Sequence, residues 1–179
     1  MELKLNNNTQ SPNWQWLVAI IFLLAFSRLI PHPPNFTPVC AIAIFAGATL
    51  KDIRLALLIP LVALLISDAV IGFHSTMIFV YSAIAVIIAA NYCWLKNIWI
   101  VTVTIAAISS SILFFIVTNF GAWLSHDMYP KTADGLMQAY IAGIPFFKNT
   151  LLGTLFFLAI SFIATKLIAR SPASEQSTN

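Results

Sequence analysis

One stretch of sequence decides the fold: Leu61-Val62-Ala63-Leu64-Leu65-Ile66-Ser67-Asp68-Ala69-Val70-Ile71-Gly72-Phe73-His74. It reads as a hydrophobic helix that carries one carboxylate and ends in a short turn, after which a second apolar segment begins. A carboxylate inside a membrane segment is energetically costly, so it faces a partner or a polar cavity and marks a candidate functional site. Asp68 is therefore the residue around which the remaining polar groups should be placed.

The composition defines the class of protein. Hydrophobic residues make up 60% of the 179 residues, charged residues make up 8%, and the mean hydropathy is +0.90. Soluble domains carry about 25% charged residues, so this composition predicts an integral membrane protein that contacts the lipid bilayer. The length allows one bundle of about six helices and no separate ATPase domain. The net charge of +3 is dispersed without a basic stripe, which argues against nucleic-acid binding.

The apolar segments predict an all-α, polytopic membrane helix bundle in a single domain, residues 14–170. Polar tails, residues 1–13 and 171–179, flank this domain and are expected to be disordered. The predicted transmembrane helices are approximately residues 14–30, 38–50, 55–71, 76–94, 98–123 and 148–168, with a short interfacial helix at about 133–144. Whether the short segment 38–50 crosses the whole membrane is left open.

The basic residues indicate the orientation of these helices. Under the six-helix interpretation six of them fall on one side, namely Lys4, Lys51, Arg54, Lys96, Lys166 and Arg170, and three on the other, namely Arg28, Lys131 and Lys148. The positive-inside rule then places both termini in the cytoplasm.

A pair of opposite charges is expected near the outer face. Asp68 lies fourteen residues beyond Arg54, about 21 Å along its helix, and Arg28 lies fourteen residues beyond Trp14 at a similar height. The two side chains could therefore pair, each lowering the cost of burying the other. A purely structural ion pair between helices is an equally good interpretation of the same residues.

The outer half collects most of the remaining polar side chains, and the candidate ligand-binding residues come from it. These are Arg28, His32, Asn35, Asp68, His74, Asn119, Lys148 and Asn149. Aromatic residues nearby, among them Trp123 and Tyr129, fit either an interfacial belt or stacking on a planar ligand. Histidine and aspartate spacings match no metal motif, no catalytic motif is present, and no cofactor is expected.

Several motifs resemble a family of small, uncharacterised bacterial membrane proteins. They are Arg28-Leu29-Ile30-Pro31-His32-Pro33-Pro34-Asn35-Phe36-Thr37-Pro38, Ser67-Asp68 with Gly72-Phe73-His74, Phe115 with Thr118-Asn119-Phe120-Gly121 and Trp123, Met128-Tyr129-Pro130-Lys131-Thr132, and the run from Ile144-Pro145 to Leu152-Gly153. This resemblance implies a multi-pass protein of the bacterial cytoplasmic (inner) membrane.

More distantly, in size, helix number and topology, the chain is similar to the substrate-binding S components of energy-coupling-factor vitamin transporters. That similarity implies cytoplasmic termini, a vitamin-like ligand bound near the outer face, and a membrane coupling subunit with ATPases as partners. The chain departs from the pattern in its first helix, where the Ala-x-x-x-Ala spacing is missing and Ala19 and Ala25 stand six residues apart. A solitary carrier is therefore an alternative to docking on a coupling subunit.

The residues and the resemblance together predict a non-enzymatic membrane protein that binds a small molecule at an outward-facing site and transports it or passes it on. The alternative from a different class is a membrane scaffold or assembly protein without a ligand, in which Arg28 and Asp68 hold helices together. An intramembrane enzyme is a third, less favoured interpretation.

Overall fold

The structure is a computed structural model that describes residues 13–169, and within that range the chain forms six α-helices and no strands. The helices are α1 (Trp14–Ser27), α2 (Val39–Thr49), α3 (Ile53–Ile71), α4 (Met77–Trp94), α5 (Ile100–Ser125) and α6 (Ala133–Ala169). The prediction of an all-α bundle is confirmed. The two expected tails, apart from Asn13, lie outside the described residues.

The short helix α2 forms the centre of the bundle. Nine of its 11 residues are buried, and it contacts each of the other five helices. Small residues let the neighbouring backbones come close: a methyl group added to Gly47 would lie 2.6 Å from the carbonyl oxygen of Ile88 in α4. At about 1.5 Å per residue, α2 is only about 16 Å long, which is too short to cross a hydrocarbon core of about 30 Å.

Four helices are long and apolar enough to cross a membrane, namely α3, α4, α5 and α6. Their outward faces carry many exposed large apolar side chains, such as Leu58, Val70, Ile78 and Val101. Lipid chains are the natural solvent for such faces, whereas water is not. Helix α1 has 14 residues and is about 21 Å long, and it is followed by a single tight turn in which Arg28, Leu29 and Ile30 donate backbone hydrogen bonds three residues back.

The end of the chain differs from the sequence-based expectation. We predicted an interfacial helix at 133–144 and a separate span at 148–168, but α6 is one continuous helix of 37 residues that runs through Pro145. Proline removes one backbone donor and favours a break. Here the part of α6 before Pro145 packs along α5, where the Tyr140 hydroxyl donates to the carbonyl of Ile116 and the ring of Tyr140 lies 5.7 Å from that of Phe115. These contacts hold the part of α6 before Pro145 against α5.

Contacts between helix ends show which turns lie together at each end of the bundle. The Tyr92 hydroxyl donates to the backbone carbonyl of Lys51, which places the end of α4 beside the turn between α2 and α3. At the opposite end, the turn between α3 and α4 meets the loop after α5, where Ser75 Oγ lies 3.3 Å from His126 Nε2.

Candidate functional site

The buried charge pair joins three helices near one end of the bundle. An Arg28 nitrogen, Nη2, lies 2.6 Å from Asp68 Oδ1, and Nη1 donates to Ser67 Oγ at 2.6 Å. The Tyr81 hydroxyl donates to the second carboxylate oxygen, Asp68 Oδ2, at 2.7 Å. The predicted pairing of Arg28 with Asp68 is confirmed. We call the four residues Arg28, Ser67, Asp68 and Tyr81 the polar quartet.

The polar quartet is internally satisfied. Ser67 Oγ accepts from Arg28 and donates to the carbonyl of Leu64 at 2.8 Å, and both carboxylate oxygens of Asp68 have donors. Within residues 13–169, no buried side-chain nitrogen or oxygen lacks a hydrogen-bond partner. The side chain of Asp68 is 3% exposed and that of Arg28 is 13% exposed. The carboxylate of Asp68 is therefore almost closed off from a ligand in this structure.

Helix geometry explains why these side chains meet. The helices α3 and α4 form an antiparallel hairpin around the turn at residues 72–76, and Asp68 lies six residues before its middle residue, His74, while Tyr81 lies seven residues after it. Gly72 allows the tight exit from α3 because its φ of 115° is unfavourable for a residue with a side chain. The sequence interpretation missed Tyr81, although its similar distance from this turn on the next helix could have identified it.

A second feature of this end is a cavity of about 240 Å³ between the end of α5 and the first half of α6. We call it the α5–α6 cavity. Its lining includes the amide of Asn119, the indole of Trp123, the imidazole of His126 and the phenol of Tyr129, with alanines, Gly143, Met128 and Phe146 completing it. Of the predicted ligand residues, Asn119 is the one that lines this cavity. Its Nδ2 donates to the carbonyl of Phe115 at 2.8 Å, which fixes the direction of the amide.

The α5–α6 loop, residues 126–132, lies beside this cavity and is anchored to the end of α5. Trp123 Nε1 donates to the carbonyl of Pro130 at 2.9 Å. Lys131 Nζ donates to the carbonyl of His126 at 2.5 Å and also to that of Trp123, and it lies 5.6 Å from the centre of the Trp123 ring. A cation at the carboxyl end of a helix is favourable because the last carbonyls have no partners within the helix. The loop is therefore pinned to α5 beside the cavity.

The other predicted ligand residues lie elsewhere and have local roles. Asn149 Nδ2 donates to the carbonyl of Pro34 at 2.9 Å, which ties the segment between α1 and α2 to α6. Asn35 has a φ of 61°, a left-handed conformation that asparagine tolerates well. Nδ1 of His32 lies 2.7 Å from the carbonyl of Ile30, Nδ1 of His74 lies 2.8 Å from Thr76 Oγ1, and Lys148 is exposed. None of these five residues lines the α5–α6 cavity, so the structure does not gather the predicted ligand set at one point.

Metal ligands do not converge in the part of the chain that the structure describes. Residues 13–169 contain no group of three or more His, Cys, Asp or Glu side chains placed to hold an ion. This end of the bundle includes a buried ion pair with its hydrogen bonds and a cavity lined in part by aromatic, amide and imidazole residues.

These features define the class as a multi-pass helical membrane protein with a buried interhelical ion pair. A family model described as a family of unknown function (DUF6580) matches residues 8–176, so the chain belongs to that family. No curated protein and no solved structure matches the chain significantly.

Proposed function

We propose that this protein binds a small organic molecule in the α5–α6 cavity and acts as a binding or transport component of the membrane. The observation that carries the proposal is the lining of that cavity, in which two directional polar groups, Asn119 and His126, stand among aromatic rings and small residues. Ligand sites in proteins have this composition: an apolar, aromatic wall with a few polar groups that fix the orientation of the ligand. Of the ligand residues predicted from sequence, the proposed site includes Asn119. Its other members are Trp123, His126 and Tyr129.

The cavity also limits the ligand that it would accept. Its volume of about 240 Å³ lies below the usual range of about 300–1,000 Å³, which favours a small, single-ring molecule. No carboxylate or ammonium group lines it, because Lys131 is directed at helix carbonyls and at the Trp123 ring. A neutral, planar molecule that stacks on an aromatic ring and hydrogen-bonds to an amide or an imidazole fits this lining best.

A ligand survey on purified protein in detergent tests the proposal. Native mass spectrometry would identify a co-purified small molecule, and thermal unfolding would be screened with vitamins, their ring precursors and nucleobases. A ligand that binds the folded state raises its stability by mass action. We expect at least one neutral heteroaromatic compound to raise the unfolding temperature.

Two neighbouring positions on α6 supply a matched pair of variants for this survey. Ala142 lines the cavity, whereas the next residue back, Ile141, is 60% exposed and does not line it. Ala142→Phe should abolish the stabilisation by the compound, and Ile141→Phe should leave it unchanged. Equal stabilisation of both variants, or no compound that stabilises the wild type, would argue against the cavity as the binding site.

The transport version of the proposal rests on orientation and resemblance. By the positive-inside rule, the end that holds Lys51, Arg54, Lys96 and Lys166 would face the cytoplasm, and the α5–α6 cavity would face outward. In the S-component resemblance the partners would be a coupling subunit and ATPases in a bacterial cytoplasmic membrane, while a solitary carrier would use an ion gradient. Loss of cellular uptake in Ala142→Phe, with normal amounts of protein in the membrane, would support transport over binding alone.

The closed polar quartet favours a second candidate, a membrane scaffold without a ligand. Arg28 and Asp68 are engaged with Ser67 and Tyr81, as expected for groups whose task is to hold α1, α3 and α4 together. In a scaffold, a neutral and well-packed replacement of the pair would preserve function, and no compound in the survey would protect the wild type. A compound that stabilises the wild type and the Ile141→Phe variant, but not Ala142→Phe, would reject this candidate.

A further inference from the structure

The described charges divide unequally between the two ends of the bundle. The end formed by the start of α1, the α2–α3 turn, the end of α4 and the end of α6 carries Lys51, Arg54, Lys96 and Lys166 against the single acid Asp52, a net charge of 4 − 1 = +3. The opposite half carries Arg28, Lys131 and Lys148 against Asp68, Asp127 and Asp134, a net charge of 3 − 3 = 0. The whole formal charge of residues 13–169 therefore lies at one end, which we call the basic end.

The basic end contains a cavity of about 430 Å³ between α1, α3 and α6. Its lining includes the apolar residues Leu17, Leu55 and Ile59, the exposed residues Trp14 and Lys51, and Thr165 of α6. Asp52 also lines it, and Asp52 Oδ1 accepts a hydrogen bond from the backbone nitrogen of Arg54 at 2.8 Å. A mostly apolar lining that also includes an exposed lysine and an exposed tryptophan is suited to an amphiphile rather than to a water-soluble solute.

We propose that this cavity binds an anionic phospholipid, with an acyl chain between α1 and α3 and the phosphate at Lys51. Charge complementarity selects the occupant, because the basic end attracts acidic headgroups, while the zwitterionic lipids that share the same chains gain no net attraction. Trp14 is 61% exposed and lies at the start of α1, and tryptophan is enriched at the boundary between lipid headgroups and acyl chains. This site is separate from the α5–α6 cavity and lies at the opposite end of the bundle.

The test uses the full chain in a neutral detergent with two lipids that have the same acyl chains, palmitoyl-oleoyl phosphatidylglycerol and palmitoyl-oleoyl phosphatidylcholine. Native mass spectrometry of an equimolar lipid mixture measures which lipid the protein retains. One lysine beside an anionic headgroup corresponds to a preference of about fivefold. We expect the wild type to retain phosphatidylglycerol about fivefold over phosphatidylcholine.

Matched variants separate the cavity from general surface charge. Lys51→Gln should abolish the preference, whereas Lys96→Gln should keep it, because Lys96 is an exposed cation of the same end that does not line the cavity. Leu55→Trp should block lipid retention because the larger side chain would fill the cavity. Leu58→Trp should not block it, because Leu58 lies on the same helix but is 59% exposed and does not line the cavity.

Equal retention of the two lipids would overturn the proposal. It would also be overturned if the two lysine variants changed the lipid preference equally, or if the two tryptophan variants changed lipid retention equally. Inorganic phosphate alone gives a further arm, measured by thermal unfolding. Stabilisation by phosphate equal to that by phosphatidylglycerol would show a free-anion site and would also overturn it.

Discussion

The substitution Asp68→Asn tests whether the polar quartet is a closed structural unit. It removes the negative charge but keeps the shape of the side chain, so Arg28 would keep its charge with a side chain only 13% exposed and without a counter-ion. Removing one partner of a buried ion pair costs about 3–5 kcal/mol, most of it from the charge that is left behind. We expect the free energy of unfolding to fall by about that amount.

The same reasoning gives the order of the related variants. Tyr81→Phe removes one hydrogen bond to a charged acceptor, and the expected loss is about 1.5–3 kcal/mol. The double variant Arg28→Met with Asp68→Leu leaves no unpaired charge, so it should be more stable than Asp68→Asn alone. In this double variant Ser67 keeps its bond to Leu64, and only the Tyr81 hydroxyl loses its acceptor.

Reversible unfolding in mixed micelles with increasing dodecyl sulfate, followed by circular dichroism, measures these differences. A double-mutant cycle on Arg28 and Asp68 isolates the interaction between the two side chains. A loss below about 1 kcal/mol for Asp68→Asn, or additive effects in the cycle, would refute the closed unit. Either result would mean that water or a ligand reaches the carboxylate in solution, and it would favour the predicted ligand role of Arg28 and Asp68.

Two further predictions concern packing and the α5–α6 loop. Gly47→Ala should lower the free energy of unfolding by about 1–3 kcal/mol, because the new methyl group would meet the backbone carbonyl of Ile88 at 2.6 Å. The neighbouring control Ala48→Ser should change the free energy of unfolding by much less. Equal losses for the two variants in the same unfolding assay would contradict the close approach of the two helices. Lys131→Met should speed amide hydrogen exchange in the α5–α6 loop by roughly two- to fivefold with little change in global stability, since the ammonium group holds the loop to the end of α5. Unchanged exchange rates would show that the other contacts of the loop are sufficient to hold it in place.

The sequence predicted the ion pair because it depends on quantities that can be counted along the chain. Hydrophobic spans fix the direction of each helix, and the number of residues from a helix end fixes the height of a side chain. Arg28 and Asp68 were placed at the same height in this way, and their side chains lie 2.6 Å apart. Tyr81 could have been added by the same count, since it lies four residues after the start of α4 and Asp68 lies three residues before the end of α3.

The continuity of α6 and the position of the α5–α6 cavity depend on contacts that local sequence does not report. Pro145 favours a break, and only packing of α6 on α5 overrides that preference. The packing itself needs Gly143, where a side chain would collide with the amide oxygen of Asn119. Asn119 was selected from sequence as an outward-facing polar residue, but its partners in the cavity lining follow from the way the two helices meet.

The polar quartet and the α5–α6 cavity belong to different helix groups, yet the structure joins them by two contacts. The ring of Phe79, two residues before Tyr81, fills the notch that Gly121 leaves on α5, so a side chain at Gly121 would collide with that ring. Ser75, in the α3–α4 turn, meets His126 of the α5–α6 loop. Because Tyr81 is bonded to Asp68, and Asp68 to Arg28, the first of these contacts fixes the end of α5 relative to α4, α3 and α1. A ligand in the α5–α6 cavity would therefore bind beside a loop whose surroundings are held in place through the ion pair.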